Sequence, residues 1–207
     1  MFFYLSRILI VLLVIMLVWR FASQYRSLPC PSWLGWMVEQ ENPFTKANRA
    51  KTIIENLNIS KGMSVVDIGC GPGRVTIPLA QAVGRDGKVV AMDIQEKMLN
   101  KVKEKAKKQN QHTITFLCAG IGEGKLPKDS FDRVVLVSVL GEVPDQLSAF
   151  KEIYNTLKPD GILSITEVIF DPHFQTQSSV KKLAAKIGFK EVRTFGNRFA
   201  YTMHLKK

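Results

Sequence analysis

The sequence predicts an α/β protein with a doubly wound, mostly parallel seven-stranded sheet, an antiparallel last strand and a preceding N-terminal transmembrane helix. From about residue 45 onward, short β-branched runs alternate with helical patterns, as in a series of βαβ units. The strand candidates are almost continuously apolar, which indicates that helices cover both faces of a parallel sheet. Only a few residues around Gly196 and Asn197 separate the last two strands, so these two should pair antiparallel.

The 207 residues have the composition of one ordinary globular domain, because 46% are apolar and 23% are charged. That balance excludes a disordered chain, a collagen-like repeat and a two-domain enzyme. The 29 basic and 18 acidic residues give a net charge of +11, which favours anionic partners such as phospholipid, nucleic acid or acidic protein. The three cysteines are widely spaced without a C-x-x-C pair, so we predict a reducing compartment and neither a disulfide framework nor a metal site.

Residues 1–22 are predicted to form a single-pass membrane anchor. Twelve uncharged apolar residues, 8–19, lie between Arg7 and Arg20, and the segment reaches spanning length if both arginines extend to the interfaces. A cleaved signal peptide would need small residues after the apolar run, and a buried core helix would be apolar along one stripe only. The modest excess of arginine on the C-terminal side predicts that the following domain faces the cytoplasm.

Residues 23–44 are predicted to be a linker between the anchor and a domain at 45–207. Prolines and Gly35 interrupt regular structure there, while Trp33 and Trp36 are conspicuously apolar. Two interpretations stay open. The linker is either an interfacial segment that rests among lipid head groups and roofs a substrate site, or a short helix packed on the domain as ordinary core.

Within the domain, strands and helices follow from β-branched runs and helical spacing. Strands are predicted at 64–68, 88–94, 113–117, 132–140, 161–169, 189–194 and 199–205, with helical segments at 45–57, 95–109, 146–157 and 179–187 and an apolar segment at 75–83. The lysines of the 95–109 helix lie largely opposite its apolar residues. They form either a solvated face, which we favour, or a membrane-docking patch.

A glycine-rich turn follows the first strand, with glycines at 69, 71 and 73. Glycines there let the backbone approach a ligand that any Cβ would exclude. The dinucleotide fingerprint G-x-G-x-x-G would need glycine at 74, where the chain has Arg74, and the sequence contains no G-x-x-x-x-G-K-[ST] loop. A phosphate cradle is therefore not the favoured interpretation.

Two carboxylates accompany the turn. Asp67 precedes it, and Asp93 ends the next strand twenty residues after Gly73. Asp93 is well placed to accept hydrogen bonds from two ribose hydroxyls, while Asp67 could hold an ammonium group directly or through water. A ligand with an adenosine end and an amino-acid end satisfies both. The alternative for Asp93 is a simple acid at a helix N-terminus.

Five segments in order resemble the class I S-adenosylmethionine-dependent methyltransferases. They are VVDIGCGPGR at 65–74, the acid in AMDI at 91–94, FDRVV at 131–135, VLGEVPD at 139–145 and LKPDGILSITE at 157–167. The resemblance covers about residues 45–205. It implies a Rossmann-like methyltransferase fold and S-adenosylmethionine as cofactor, which also favours a cytoplasmic domain.

The resemblance implies roles for particular residues. Gly69, Gly71 and Gly73 would line the methionine part of the cofactor, Asp67 would lie beneath them, Asp93 would bind the ribose and Ile94 would pack on the adenine. It also puts Cys70, Ile121, Gly122 and Val139 at the cofactor. Similar chains often carry an acid after the third strand where this one has Ile121, so adenine contacts would come from backbone groups or from Glu123.

Methyl transfer requires alignment of donor and acceptor, and a general base only where the acceptor atom starts protonated. The acceptor should lie beyond the carboxyl ends of the fourth and fifth strands, where Glu142, Glu167, Asp171 and His173 are candidates. We predict Glu142 and His173 as the catalytic pair. A solvated loop histidine and a glutamate that only orients a substrate amine are the alternatives.

Anchor, Trp-rich linker and positive charge together predict a membrane-anchored methyltransferase whose acceptor is a hydrophobic small molecule or lipid. A membrane-confined protein (lysine) methyltransferase and a non-catalytic cofactor-binding module are the alternatives. The sequence contains no basic motif interleaved with aromatic residues and no appended RNA-binding module, which argues against nucleic acid as a partner.

Overall fold

The computed structural model describes residues 29–41 and 45–207, together with residues 4, 6, 7, 10, 11, 14, 15 and 18. Its centre is a seven-stranded sheet in the order β3-β2-β1-β4-β5-β7-β6. The strands are β1 Ser64–Ile68, β2 Lys88–Asp93, β3 Ile114–Cys118, β4 Phe131–Val137, β5 Leu157–Val168, β6 Lys190–Gly196 and β7 Ala200–Lys206. Strands β1 to β5 are parallel, and β7 is antiparallel to both β5 and β6, which confirms the predicted topology.

Helices flank the sheet and connect the consecutive parallel strands, except β3 and β4, which are joined by turns. The helices are α1 Gly35–Glu39, α2 Ala50–Asn56, α3 Thr76–Val83, α4 Glu96–Lys108, α5 Gln146–Thr156 and α6 Gln177–Ile187, and 3₁₀ turns lie at Ser32–Leu34, Lys46–Asn48 and Leu140–Glu142. Asp145 caps the start of α5 and Thr176 that of α6, each accepting a backbone N–H in the first turn.

Two hydrophobic cores, one on each face of the sheet, explain the continuous apolar strands. Within β1, Val65 belongs to one core and its neighbour Val66 to the other, and β4 divides in the same way between Val134 and Val135. Side chains alternate between the faces of a strand, so both sets must be apolar when both faces are covered.

The structure corrects three predicted boundaries. Strand β4 ends at Val137 rather than at residue 140, because Ser138 adopts a left-handed φ of 55° and a 3₁₀ turn follows. Strand β5 begins at Leu157 rather than at 161, since Leu157 pairs with Phe131 ahead of a bulge in the ladder. The first helix is split, because Arg49 is extended between a 3₁₀ turn and α2.

The predicted membrane segment, 1–22, lies mostly outside the described residues. The eight of its residues that are described are helical and exposed. Their apolar side chains are those of Tyr4, Ile10, Val11, Val14, Ile15 and Val18, each at least half exposed. Within the described part of the chain, no helix combines the length and the apolarity that a membrane crossing requires.

Residues 29–41, which we call the strap, contain one 3₁₀ turn and helix α1, and they lie against α4. Gly35 is buried there, and a Cβ added to it would approach Lys101 Nζ to 2.7 Å and Met98 Cε to 3.4 Å. Trp33 and Trp36 are exposed. The strap therefore packs on the domain through one side while its tryptophans face outward.

Candidate active site

The glycine turn after β1 depends on left-handed backbone at alternate positions. Gly69, Gly71 and Gly73 have φ values of 64°, 52° and 87°, a region that L side chains rarely adopt. Gly69 also has no room for a side chain, because an added Cβ would come within 2.4 Å of a methyl carbon of Val139. At Gly71 the nearest side-chain atom to such a Cβ, on Val38, is 3.8 Å away. The turn is thus tightly packed on the β4 side, whereas Gly71 at its tip is partly exposed and has room for a Cβ in ordinary contact with Val38.

Asp67 lies beneath the turn and is buried. Its Oδ2 accepts a hydrogen bond from Thr76 Oγ1 at 2.6 Å, which ties the end of β1 to the start of α3. Burial raises the pKa of Asp67 to about 7, although the bond from Thr76 and the charge of Arg74 favour the ionised form. The approach of a cationic ammonium group would lower that pKa again.

Asp93 closes the other side of the turn. Its two carboxylate oxygens accept the N–H groups of Gly71 at 2.9 Å and Gln95 at 2.8 Å, so it bridges the glycine turn and the start of α4. Burial raises the pKa of Asp93 and the two N–H bonds oppose this. Ile94, the next residue, is 54% exposed. An apolar side chain next to a buried carboxylate matches a ligand with a flat ring and hydroxyl groups.

The loop after β3 is held by a residue that the sequence analysis missed. Buried Glu152 of α5 accepts the N–H groups of Gly122, Gly124 and Leu126 at 2.6, 3.0 and 2.9 Å. Gly122 is thereby directed at α5. Nothing in a helical pattern distinguishes such a glutamate from a solvated one.

Other predicted residues of this region occupy defined places. Glu123 Oε1 accepts the N–H of Gly120, which lies near Ile94. Ile121 packs on the larger core. Cys70 is buried, its N–H is donated to Met92 O, and burial raises the pKa of its thiol well above the ordinary range.

Three features at the carboxyl ends of β1, β2 and β4 fit an adenosine-bearing methyl donor. Gly71 at the tip of the turn is partly exposed, and Ile94 offers an exposed apolar surface beside the Asp93 carboxylate. Ser138 Oγ is buried without a hydrogen-bond partner among the described residues, at the end of β4 next to Val139. An unsatisfied hydroxyl of this kind is costly unless a ligand group reaches it.

A second group of polar side chains lies beyond β4 and β5. His173 is buried, and its Nδ1 lies 3.6 Å from Asp171 Oδ1 and 3.9 Å from Glu142 Oε1. The structure therefore brings together the two predicted catalytic residues, from segments thirty residues apart, and adds Asp171. Burial and the charge of Asp171 raise the pKa of Glu142 to about 7, while His173 opposes the rise.

A cavity of about 480 Å³ opens beside this group. His173 lines it, and the other lining residues are Gly141, Val143, Pro144, Asp145, Gln146 and Gln175. The two lining segments, 141–146 and 173–175, touch at Gly141, since a Cβ on it would collide with the backbone of His173. A carboxyl group that titrates near neutrality next to a cavity is a typical arrangement for proton transfer.

The cavity wall at 171–175 is fixed from below by β5 and β7. Gln175 N–H donates to Glu167 Oε2 at 3.0 Å, and Tyr201 Oη donates to Gln175 O at 2.8 Å. Glu167 is 1% exposed, and burial raises its pKa to about 8. Glu167 does not line the cavity itself, but it holds the backbone of Gln175, which does.

The strap crosses both groups of residues. At one end, Cys30 N–H donates to Glu142 Oε1 at 3.3 Å and Cys30 O accepts from Gln95 Nε2 at 2.8 Å. At the other end, Lys105 Nζ binds both Glu39, at 2.5 Å, and the carbonyl of Pro72 in the glycine turn, at 2.7 Å. The sequence analysis missed these contacts because they join segments 33 to 112 residues apart.

The described residues contain no cluster of three or more His, Cys, Asp or Glu side chains arranged to hold a metal ion. The fold, the glycine turn and the acid after β2 are the arrangement of a class I methyltransferase domain. Residues 59–198, more than half of the chain, match the family model described as "Methyltransferase domain". The chain belongs to this methyltransferase family, and S-adenosylmethionine is the cofactor of the domain.

Curated relatives carry a more specific name. The chain is 34% identical over 156 residues to a protein of Lactococcus lactis named demethylmenaquinone methyltransferase, covering 75% of this chain and 60% of that one. A protein of the same name from Geobacillus stearothermophilus is 35% identical over 112 residues, covering 54% of this chain and 48% of that one. The chain thus spans only about half to three fifths of these relatives.

Solved structures share the fold. A SAM-dependent methyltransferase from Aquifex aeolicus superposes with a TM-score of 0.77 at 19% identity, covering 86% of this chain and 99% of that one. A SAM-dependent O-methyltransferase from Thermotoga maritima gives a TM-score of 0.65 at 20% identity, covering 87% and 72%. Both likenesses concern the fold alone.

Proposed function

We propose that this protein transfers a methyl group from S-adenosylmethionine to a hydrophobic small molecule carried in the membrane, of the hydroquinone type. The observation that carries the proposal is the pair of Glu142, which is partly buried, and His173, which is buried and lines the cavity. The name of the relatives, demethylmenaquinone methyltransferase, supports a quinone-derived ring as the acceptor.

S-adenosylmethionine, when bound, supplies a methyl group activated by a positively charged sulfur. Asp93 and Asp67 bind the two ends of the donor, and the glycine turn lets it approach the backbone. Glu142 accepts the proton of a hydroxyl on the acceptor ring, which makes the ring a better nucleophile. His173, between Glu142 and Asp171, fixes the orientation of that carboxylate and takes part in moving the proton toward solvent.

The cavity matches the reacting part of such an acceptor. Asp145, Gln146 and Gln175 offer hydrogen-bonding groups for ring oxygens, and Val143 and Pro144 offer apolar contact. The strap closes the site on the side of Glu142 through the N–H of Cys30, which helps to exclude water from the reacting atoms.

The arrangement in the cell is part of the proposal. Residues 1–22 form a single-pass anchor, 23–44 an interfacial linker and 45–207 the methyltransferase domain, which faces the cytoplasm. The apolar run at 8–19 and the exposed apolar side chains at 10, 11, 14, 15 and 18 support the anchor, and a net charge of +11 favours an anionic membrane surface.

The test is a methyl-transfer assay on the full chain in lipid vesicles. Labelled S-adenosylmethionine is supplied with a demethylated menaquinol, with a total lipid extract, or with stripped membrane proteins. We expect label in the quinol and in the lipid extract, and its loss in the Glu142→Gln variant. Label in protein alone would contradict the proposal and favour a membrane-confined protein methyltransferase.

A further inference from the structure

We propose that the outer side of the strap and the lysine stripe of α4 together form a surface that binds an anionic lipid bilayer. The inference rests on the proposed function, because it names the surface at which a membrane-borne acceptor reaches the site. It concerns the strap and α4 and not the apolar segment at 1–22. Two exposed tryptophans and a row of lysines carry it.

The tryptophans are unusual for a surface. Trp33 is 73% and Trp36 is 58% exposed, and they lie three residues apart, which places them on one side of the strap. Tryptophan is on average highly buried in folded proteins, and it is enriched where a protein meets the membrane–water interface.

The strap holds the tryptophans outward because its inner side is fixed to the domain. Hydrogen bonds and an ion pair join it to the ends of β2 and β4 and to α4. These contacts are Cys30 N to Glu142, Gln95 Nε2 to Cys30 O, Lys101 Nζ to Ser32 O, and Lys105 Nζ to Glu39. The aromatic surface is therefore preformed, and little conformational entropy is lost on docking.

The adjoining helix supplies the charge. Lys97, Lys101, Lys105 and Lys108 follow one another at intervals of four, four and three residues, so they form a single stripe along α4. Lys101 and Lys105 bind the strap, while Lys97 and Lys108 extend the stripe beyond it and are exposed.

The charge balance favours an anionic lipid as the partner. Helix α4 carries six lysines, at 97, 101, 103, 105, 107 and 108, and two glutamates, at 96 and 104, which gives a net charge of +4. The strap adds Glu39, which pairs with Lys105, and Glu41, so strap and helix together carry a net charge of +2. Aromatic side chains flanked by lysines bind lipid head groups through both burial and attraction to anionic phosphates.

The exposed apolar residues that precede the strap also favour a lipid bilayer as its partner. Ile10, Val11, Val14, Ile15 and Val18 each expose between 51% and 62% of their surface, and the last of them lies eleven residues before the strap begins. Apolar side chains exposed over consecutive helical turns require a covering phase. A bilayer that covers them brings the strap to its surface.

The experiment uses tryptophan fluorescence, because all three tryptophans of the chain, at 19, 33 and 36, precede the domain. The full chain with Trp19→Phe retains only the two in the strap. It is reconstituted into phosphatidylglycerol-containing vesicles whose acyl chains are brominated near the head group. We expect the strap fluorescence to fall by about twofold or more, since interfacial tryptophans lie within reach of such bromines.

A matched control separates docking from mere proximity to the membrane. With all three tryptophans replaced by phenylalanine, Val192→Trp places a single probe on β6, an exposed position at the opposite edge of the sheet. Its fluorescence should stay unquenched. Equal quenching of the strap and of this control, or no quenching of the strap, would overturn the proposal.

A second variant tests the lysines. Lys97→Glu with Lys108→Glu should reduce strap quenching in anionic vesicles, and wild-type quenching should be weaker in purely zwitterionic vesicles. Quenching that is independent of both changes would show that no charged surface is involved and would overturn the proposal. These readouts require no methyl transfer, so failure of the proposed reaction would leave them intact, and their failure would leave the reaction testable.

Discussion

The proposed donor half and the proposed acceptor half of the candidate site are built differently. The donor half consists of one βαβ unit, in which Asp67, the glycine turn and Asp93 lie within 27 residues of one another. The acceptor half joins Cys30, Glu142 and the loop at 171–175, which are separated by up to 145 residues. Contacts within one unit leave a local signature in the sequence, whereas contacts across the fold do not.

The largest expected effect concerns the turn. Gly69→Ala combines a left-handed φ with a Cβ 2.4 Å from Val139, so it should abolish donor binding and destabilise the fold. Gly62→Ala is the matched control, because Gly62 has a φ of 81° and no described atom lies within 4 Å of its added Cβ. We expect about 1 kcal/mol of destabilisation there, from backbone strain alone. Urea unfolding and donor titration are measured for both variants. Equal destabilisation by Gly69→Ala and Gly62→Ala would contradict the role of the Val139 contact.

Glu142→Gln should affect only the acceptor half. We expect turnover to fall by about 100-fold or more, as general bases typically contribute, while donor affinity stays unchanged. In the wild type, turnover should rise as the pH increases through about 7, where Glu142 becomes ionised. His173→Ala should lower turnover in the same way. Unchanged turnover in both variants would remove the acid–base roles.

The support of the cavity wall should appear as a pH dependence of stability. Burial raises the pKa of Glu167 from 4.5 to about 8, so the folded state holds a proton that the unfolded chain releases. The free energy of unfolding should therefore decrease as pH rises from about 4.5 to about 8, by a few kcal/mol from this residue. Glu167→Gln should flatten that part of the profile. The measurement is the urea midpoint of both proteins at pH 5 and at pH 9. An equal shift of the midpoint in wild type and variant would contradict this prediction.

The smallest effect should come from a residue in neither half. Lys51 and Glu55 form an ion pair at 3.9 Å in which both side chains are largely exposed. Lys51→Ala should change the free energy of unfolding by less than about 0.5 kcal/mol and leave donor binding and turnover unaltered. A larger loss of stability in a thermal melt would contradict the view that this ion pair on α2 contributes little.

The same difference explains what could be predicted from the sequence. The sheet and its strand directions follow from the apolar runs, and the glycines and acids at fixed spacing mark the turn to which we assign donor binding. The end of β4 could not be predicted, because the left-handed Ser138 lies in a run that is β-branched up to Val139. The contacts of Glu152 and of the strap were missed, because they join residues that are distant in the sequence and come together only in the folded chain.

The linker shows an intermediate case. Its composition permitted either a packed helix or an interfacial segment, and the structure combines a buried Gly35 with exposed tryptophans at positions 33 and 36. Sequence periodicity over five helical residues is too short to assign a buried face.

The separation of the two halves is tested most directly by calorimetric titration of the full chain with S-adenosylmethionine and its demethylated product. Asp93→Ala should weaken both by about 100-fold, the value of one or two charge-assisted hydrogen bonds, while Glu142→Gln should leave both within about twofold of wild type. Wild-type affinity in Asp93→Ala would contradict the account, because the carboxylate at the end of β2 would then hold the turn and α4 without binding the donor.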